Sequence, residues 1–125
     1  MQIPSQYNRL MPYIIVPGAN KFIEFMKEVF GATVQHVTPR SEGVIMHGEL
    51  RIGDSVIMFA DSTEQFSPKP AGIFIYVENT DETYVNALAA RATSLMEPMK
   101  QPYGYACGFQ DPFGNDWWPV EAPMP

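Results

Sequence analysis

The 125-residue chain holds one cysteine, two histidines and only eight Lys plus Arg against fourteen Asp plus Glu, and it has no long apolar run. Each scarcity excludes something. Cys107, alone, closes no internal disulfide and builds no thiolate metal site; with nothing basic beside it in sequence, it reads as a small buried hydrophobe. The few cations are scattered and the formal net charge is −6, so neither nucleic acid nor an anionic membrane surface finds a basic patch to bind. No stretch approaches the ~18 consecutive apolar residues that a bilayer span requires. The opening Met1-Gln2-Ile3-Pro4-Ser5-Gln6-Tyr7 has neither a basic start nor an apolar segment behind it, and a cytoplasmic location is expected. Hydrophobic residues make up 46% of the chain and aromatics 13%, which excludes a disordered class and suits one globular domain with a core of its own.

The periodicities that are present describe a mixed chain. Pro12-Tyr13-Ile14-Ile15-Val16 is a short apolar strand ended by Pro17-Gly18. Phe22, Ile23, Phe25, Met26, Val29 and Phe30 recur at helical spacing, with Lys21, Glu24, Lys27 and Glu28 between them and Gly31 as a stop, which predicts a helix over 20–30. Strands are expected over 33–38, 44–52 and 55–59, with a loop at 39–43 and a tight Gly53-Asp54 turn. After a Ser-, Pro- and Thr-rich connection, the same order returns: a strand over 72–77, a helix over 80–91, and strands over 93–98 and 105–110. The turn Asp111-Pro112-Phe113-Gly114-Asn115 then delivers a last strand, with Pro112 presetting φ and Gly114 free to take φ > 0. Trp117 and Trp118 must point to opposite faces of that strand.

A single offset of 61 positions carries Val16 onto Val77 and Gly53 onto Gly114, so β-α-β-β-β occurs twice. A unit with one apolar sheet face needs its copy to bury that face, and the repeat therefore governs the architecture. Module 10–61 and module 72–122, joined by loop 62–71, are expected to form one domain over 1–125.

Four stretches together, Pro12-Tyr13-Ile14-Ile15-Val16 followed by Phe25-Met26-Lys27-Glu28-Val29-Phe30-Gly31-Ala32, then Met46-His47-Gly48-Glu49-Leu50, then Asp111-Pro112-Phe113-Gly114-Asn115-Asp116-Trp117, carry a family resemblance. The chain resembles the vicinal oxygen chelate superfamily of glyoxalase I, extradiol dioxygenases and bleomycin-resistance proteins, and its PhnB-like branch in particular, over roughly residues 10–122. The resemblance implies an α+β fold of two tandem βαβββ modules forming a curved mixed sheet around a cup, commonly in a homodimer. It also implies, for the enzymes, a divalent metal held by His or Glu from the first and last strand of each module. By the repeat arithmetic those positions are Met11, Ile57, Gly72 and Trp118. A thioether, an alkyl group, a missing side chain and an indole supply no hard oxygen or imidazole donor, so no metal and no cofactor are expected.

Strand alternation turns Tyr13, Ile15, Ile57, Phe59, Phe74, Tyr76, Trp118 and Val120 toward the cup, an aromatic wall suited to a small-molecule ligand. His47 and Glu49, two apart, share a face, and the offset pairs Glu49 with Gln110, so these three polar groups are expected to converge among the apolar ones. A His beside a carboxylate is also a candidate acid–base pair, which makes His47 and Glu49 the candidate catalytic residues. His36, near a loop, reads as solvated. Three functions compete. The first is a metal-independent binding protein for an aromatic or amphipathic compound, favoured by the vacated ligand positions and the aromatic cup. The second is an isomerase-, lyase- or hydrolase-type enzyme using His47 and Glu49, with or without an unusual metal. The third is an interaction module whose cup is filled and whose sheet edges build a dimer. A homodimer is expected in any case, because each module presents an open sheet edge.

Overall fold

In the computed structural model, which describes residues 1–123, the elements run β1 (Tyr13–Val16), α1 (Ala19–Phe30), β2 (Thr33–Ser41), β3 (Val44–Ile52), β4 (Ser55–Asp61), β5 (Gly72–Tyr76), α2 (Thr80–Ala89), β6 (Thr93–Gln101), β7 (Gly104–Gln110) and β8 (Asp116–Glu121). The βαβββ order is thus present twice. Each copy makes a four-stranded mixed sheet, in the orders β1-β4-β3-β2 and β5-β8-β7-β6. The β1/β4 and β5/β8 pairs are parallel and the others antiparallel. The chain divides into two compact units, Met1–Lys27 with Gly31–Lys69, and Glu28–Phe30 with the residues from Pro70 onward.

In the first unit, Ile14 and Val16 of β1, Leu50 of β3 and Ile57 and Phe59 of β4 are buried, as are Phe22, Phe25 and Met26 of α1. Phe22 and Phe59 meet with ring centroids 5.3 Å apart. Gly48, opposite Phe59 in the register, has no room for a Cβ, which would overlap that ring. Ile57 and Phe59 therefore belong to the helix-facing layer, and their expected place on the open face beside Tyr13 is corrected. The reason is a register step of one residue. Tyr13 pairs with Met58, whereas Phe74, the residue 61 positions on from Tyr13, pairs with Trp118. The counterpart of Trp118 is thus Met58 rather than Ile57, and a one-residue slip sends every side chain of a strand to the other face. A second correction concerns residues 39–41, expected as loop, which continue β2 to Ser41. Register shifts flank Pro39 on both sides, and β2 lies at the sheet edge, where a missing N–H is tolerated.

In the second unit, Phe109, Trp117 and Cys107 are buried, and Phe30 groups with them: its ring lies 4.6 Å from that of Trp117 and 6.2 Å from that of Phe109. The turn before β8 is built around Asp111, 3% exposed. Its Oδ1 accepts from the backbone N–H of Phe113 and Asn115, and its Oδ2 from Asn115 Nδ2 and the indole N–H of Trp117, all at 2.8–2.9 Å. Asn115 Oδ1 in turn accepts from the N–H of Ala71 at 3.0 Å. Helix α2 ends at Ala89 rather than at the expected Arg91, because Arg91 turns left-handed at φ 75°.

The last strand of each unit ends in a carboxylate that serves its own helix. Asp61 Oδ1 accepts from the N–H groups of Gly18 (3.2 Å) and Ala19 (2.8 Å), and its Oδ2 from that of Ile45 (2.7 Å). Glu121 Oε2 accepts from the N–H of Thr80 at 2.9 Å. In α1 this replaces a local cap, since Gly18 has no side chain to offer.

Candidate functional site

On the open face of the first sheet, Glu49 pairs with Met58 on β4 and with His36 on β2, and Met58 pairs with Tyr13 on β1. His47, two residues back along β3, shares this face. Glu49 is only 3% exposed, so its carboxylate must be satisfied by hydrogen bonds. Tyr7 donates its hydroxyl across both oxygens (3.1 and 2.9 Å), Gln35 Nε2 donates to Oε1 (3.1 Å), and His47 Nε2 lies 2.8 Å from Oε2. Burial alone would push this carboxyl up, but the bonds from His47, Gln35 and Tyr7 together outweigh it and hold Glu49 below its ordinary value. The same contact, with burial, raises the Tyr7 phenol.

Around this centre the network is closed on one side and open on the other. Arg51 Nε donates to Gln35 Oε1 at 3.1 Å and its terminal nitrogen to the carbonyl of Gln6, which ties the segment before β1 over the sheet. Asn8 strengthens that tie by accepting from the N–H of Val56 at 3.1 Å. On the open side, Tyr13 Oη lies 3.1 Å from His47 Nδ1, and the phenol is half exposed. Ile15 shares the Tyr13 face of β1 and is partly buried.

The open face of the second sheet is aromatic. Phase alternation along β5 puts Phe74 and Tyr76 on it, with centroids 5.1 Å apart edge to face, and Tyr103 approaches Phe74 at 6.3 Å. Trp118 pairs with Phe74 and lies over Gly108, where a Cβ would overlap its ring. Phe74, Tyr76, Tyr103 and Trp118 are 52%, 64%, 50% and 37% exposed, whereas Trp117 on the other side of β8 is 1% exposed. Gln110 pairs with Asp116 and donates to its carboxylate at 3.0 Å; its amide is thus engaged inside the second unit.

Of the residues singled out from sequence, the first unit brings together Tyr13, His47 and Glu49, and the second Phe74, Tyr76 and Trp118; Ile57 and Phe59 lie in the core. Tyr7, Gln35 and Arg51 were missed. Tyr7 stands in an aperiodic stretch, and Gln35 reaches Glu49 because a bulge at Val34/His36 inserts it as an extra residue, which no sequence period announces. The metal positions also shift: in the first unit they become Met11 and Met58, in the second Gly72 and Trp118. Two thioethers, a missing side chain and an indole do not fit a divalent ion of the kind the enzymes use. Among the described residues no three His, Cys, Asp or Glu side chains gather as a metal site. Cys107, buried, has its thiol pushed up to about 12 by burial and by the nearby Asp81, and is no nucleophile at neutral pH.

Residues 6–118 match the glyoxalase/bleomycin resistance protein/dioxygenase superfamily. The chain belongs to that superfamily. An uncharacterized protein of Mycobacterium bovis is 28% identical over 120 residues, covering 86% of this chain and 79% of the relative. The same fold occurs in the PhnB protein of Bacillus cereus (18% identity, 92% of this chain and 100% of that one, TM-score 0.73). It occurs also in TnmS3, an antibiotic binding protein from Streptomyces sp. CB03234 (18% identity, 98% and 99% covered, TM-score 0.69). For a superfamily with members of such different kinds, fold membership leaves chemistry to the site. No helix among the described residues is long and apolar enough to cross a membrane.

Proposed function

We propose that this superfamily member binds a small planar aromatic or amphipathic compound without a metal, using the open face of its second sheet. The observation that carries the reading is the exposed row of Phe74, Tyr76 and Trp118, with Tyr103 beside it, on a sheet whose other face is already packed. Aromatic rings left in water lose the apolar contact that a planar ligand supplies, and ring stacking adds about 0.5–1.5 kcal/mol beyond area burial. Gly108 supports the same reading: a Cβ there would overlap the Trp118 ring, so its absence leaves the indole room against β7 on this face. The description of the similar TnmS3 as antibiotic binding is consistent with such a role.

The test is a thermal-shift and fluorescence titration of the protein with a panel of planar fused-ring aromatics, run in parallel with chelator-treated protein. A hit should survive chelation and weaken by about 1–3 kcal/mol in Trp118→Ala, the scale of stacking on a single aromatic platform. Binding that is abolished by chelator, or that is unchanged in Trp118→Ala, would sink the reading.

A further inference from the structure

The line Tyr13–His47–Glu49 has a direction that its hydrogen bonds dictate. Glu49, held ionised by its donors, can only accept, so the 2.8 Å contact requires the proton to sit on His47 Nε2. In the neutral ring Nδ1 is then the acceptor, and it takes the hydroxyl proton of Tyr13 at 3.1 Å. Tyr13 thus has its proton committed inward while its oxygen lone pairs face the half-exposed side. A group that reaches Tyr13 from solvent must be a donor, and behind Tyr13 stand a base and a buried counter-charge.

From this geometry we propose that Tyr13, His47 and Glu49 form a receptor that takes up an acidic hydroxyl, phenolic or enolic, and holds it as the oxyanion. The step balances. The ligand O–H bond breaks and its proton goes to Tyr13 Oη; the Tyr13 proton passes to His47 Nδ1; the imidazolium keeps its Nε2–H on Glu49. The ligand becomes an anion, the ring becomes a cation beside Glu49, and the total charge is unchanged. The ligand oxyanion then accepts a hydrogen bond from Tyr13. An aliphatic alcohol is too weak an acid to make this exchange, which narrows the ligand class to phenols and enols.

The surrounding groups are accounted for on each side. From the segment before β1, Tyr7 donates to Glu49; from β2, Gln35 does the same, and the His36 ring stands 6.4 Å from that of His47 with its Nε2 turned to Thr38 Oγ1 at 2.8 Å. From β3, the Arg51 guanidinium is taken by Gln35 and the Gln6 carbonyl, and β4 contributes the uncharged Met58. Glu49 is therefore the carboxylate in contact with the His47 ring, and the relay has one place to store the proton. The inference uses the first unit alone and does not depend on the aromatic face of the second.

The probe is 4-nitrophenol, whose absorption distinguishes phenol from phenolate, with 4-nitroanisole as a companion of the same shape that has no hydroxyl. Below the solution pKa of the probe, wild-type protein should bind 4-nitrophenol with the phenolate band and bind it at least about tenfold more tightly than 4-nitroanisole. Tyr13→Phe, at a half-exposed position that tolerates the change, and His47→Gln should each abolish the phenolate band. A bound probe with the spectrum of the neutral phenol, a phenolate band that persists in Tyr13→Phe, or no binding of 4-nitrophenol by natively folded protein would each overturn the inference. The aromatic-face reading fails differently: it is the response of 4-nitroanisole and the fused-ring panel to Trp118→Ala that decides it.

Discussion

Adjacent residues of one strand carry opposite duties, and the two tryptophans make this measurable. Trp117 is buried against Phe30 and donates its indole N–H to Asp111, so removing it empties a large volume and strips one donor from a buried carboxylate. Trp117→Ala should cost about 3–5 kcal/mol and lower the melting temperature sharply. Trp118 is more than a third exposed, and Trp118→Ala should cost clearly less while altering ligand response. Matched melting curves and titrations on the two variants check both halves. If Trp118→Ala proves the more destabilising, the open-face assignment of its ring is wrong.

Among the elements, α1 depends on a residue 42 positions away from the N–H it serves. Asp61 bonds three backbone N–H groups, two at the helix start and one on β3, and thereby joins the end of β4 to α1 within the first unit. Asp61→Ala should destabilise the protein by about 1–2 kcal/mol, at the upper end for a lost helix cap, and a melting curve as stable as wild type would refute the cap. The elements themselves were legible because strong periods announce them: the apolar spacing from Phe22 to Phe30 with Gly31 behind it, and the Gly53-Asp54 turn. The faces were legible only where the repeat kept its spacing. β5 follows β1 at an offset of 61, but β8 follows β4 at 60 when read through their parallel partners, and that one step misplaced Ile57 and Phe59. The polar site was half legible. His47 and Glu49 stand two apart on one strand, whereas Tyr7 and Gln35 reach Glu49 through a strap and a bulge, features of tertiary closure that leave no local pattern.

For the molecule as a whole, acid should reveal Glu49 against an opposing background. The chain carries −6 near neutrality and has a sequence pI of about 4.7, so lowering the pH at first relieves self-repulsion. Glu49 acts the other way. Burial opposes its ionisation, the bonds from His47, Gln35 and Tyr7 outweigh burial, and its carboxyl lies below the ordinary 4.5. A carboxyl with a depressed folded-state pKa adds stability that is fully present above its unfolded value and is lost as pH falls through its folded value. Glu49→Gln, which keeps the shape but faces three donors with one acceptor oxygen, should cost about 1–3 kcal/mol at neutral pH. Denaturant melts of both proteins across pH isolate the effect, because the charges away from the His47–Glu49 contact titrate alike in each. The gap between them should persist down to pH 4.5 and narrow only below it, as the wild-type carboxylate takes up its proton and releases Tyr7, Gln35 and His47. A gap that closes well above pH 4.5 would show a carboxyl held high rather than low, and with it the loss of the acceptor on which the direction of the Tyr13–His47–Glu49 line depends.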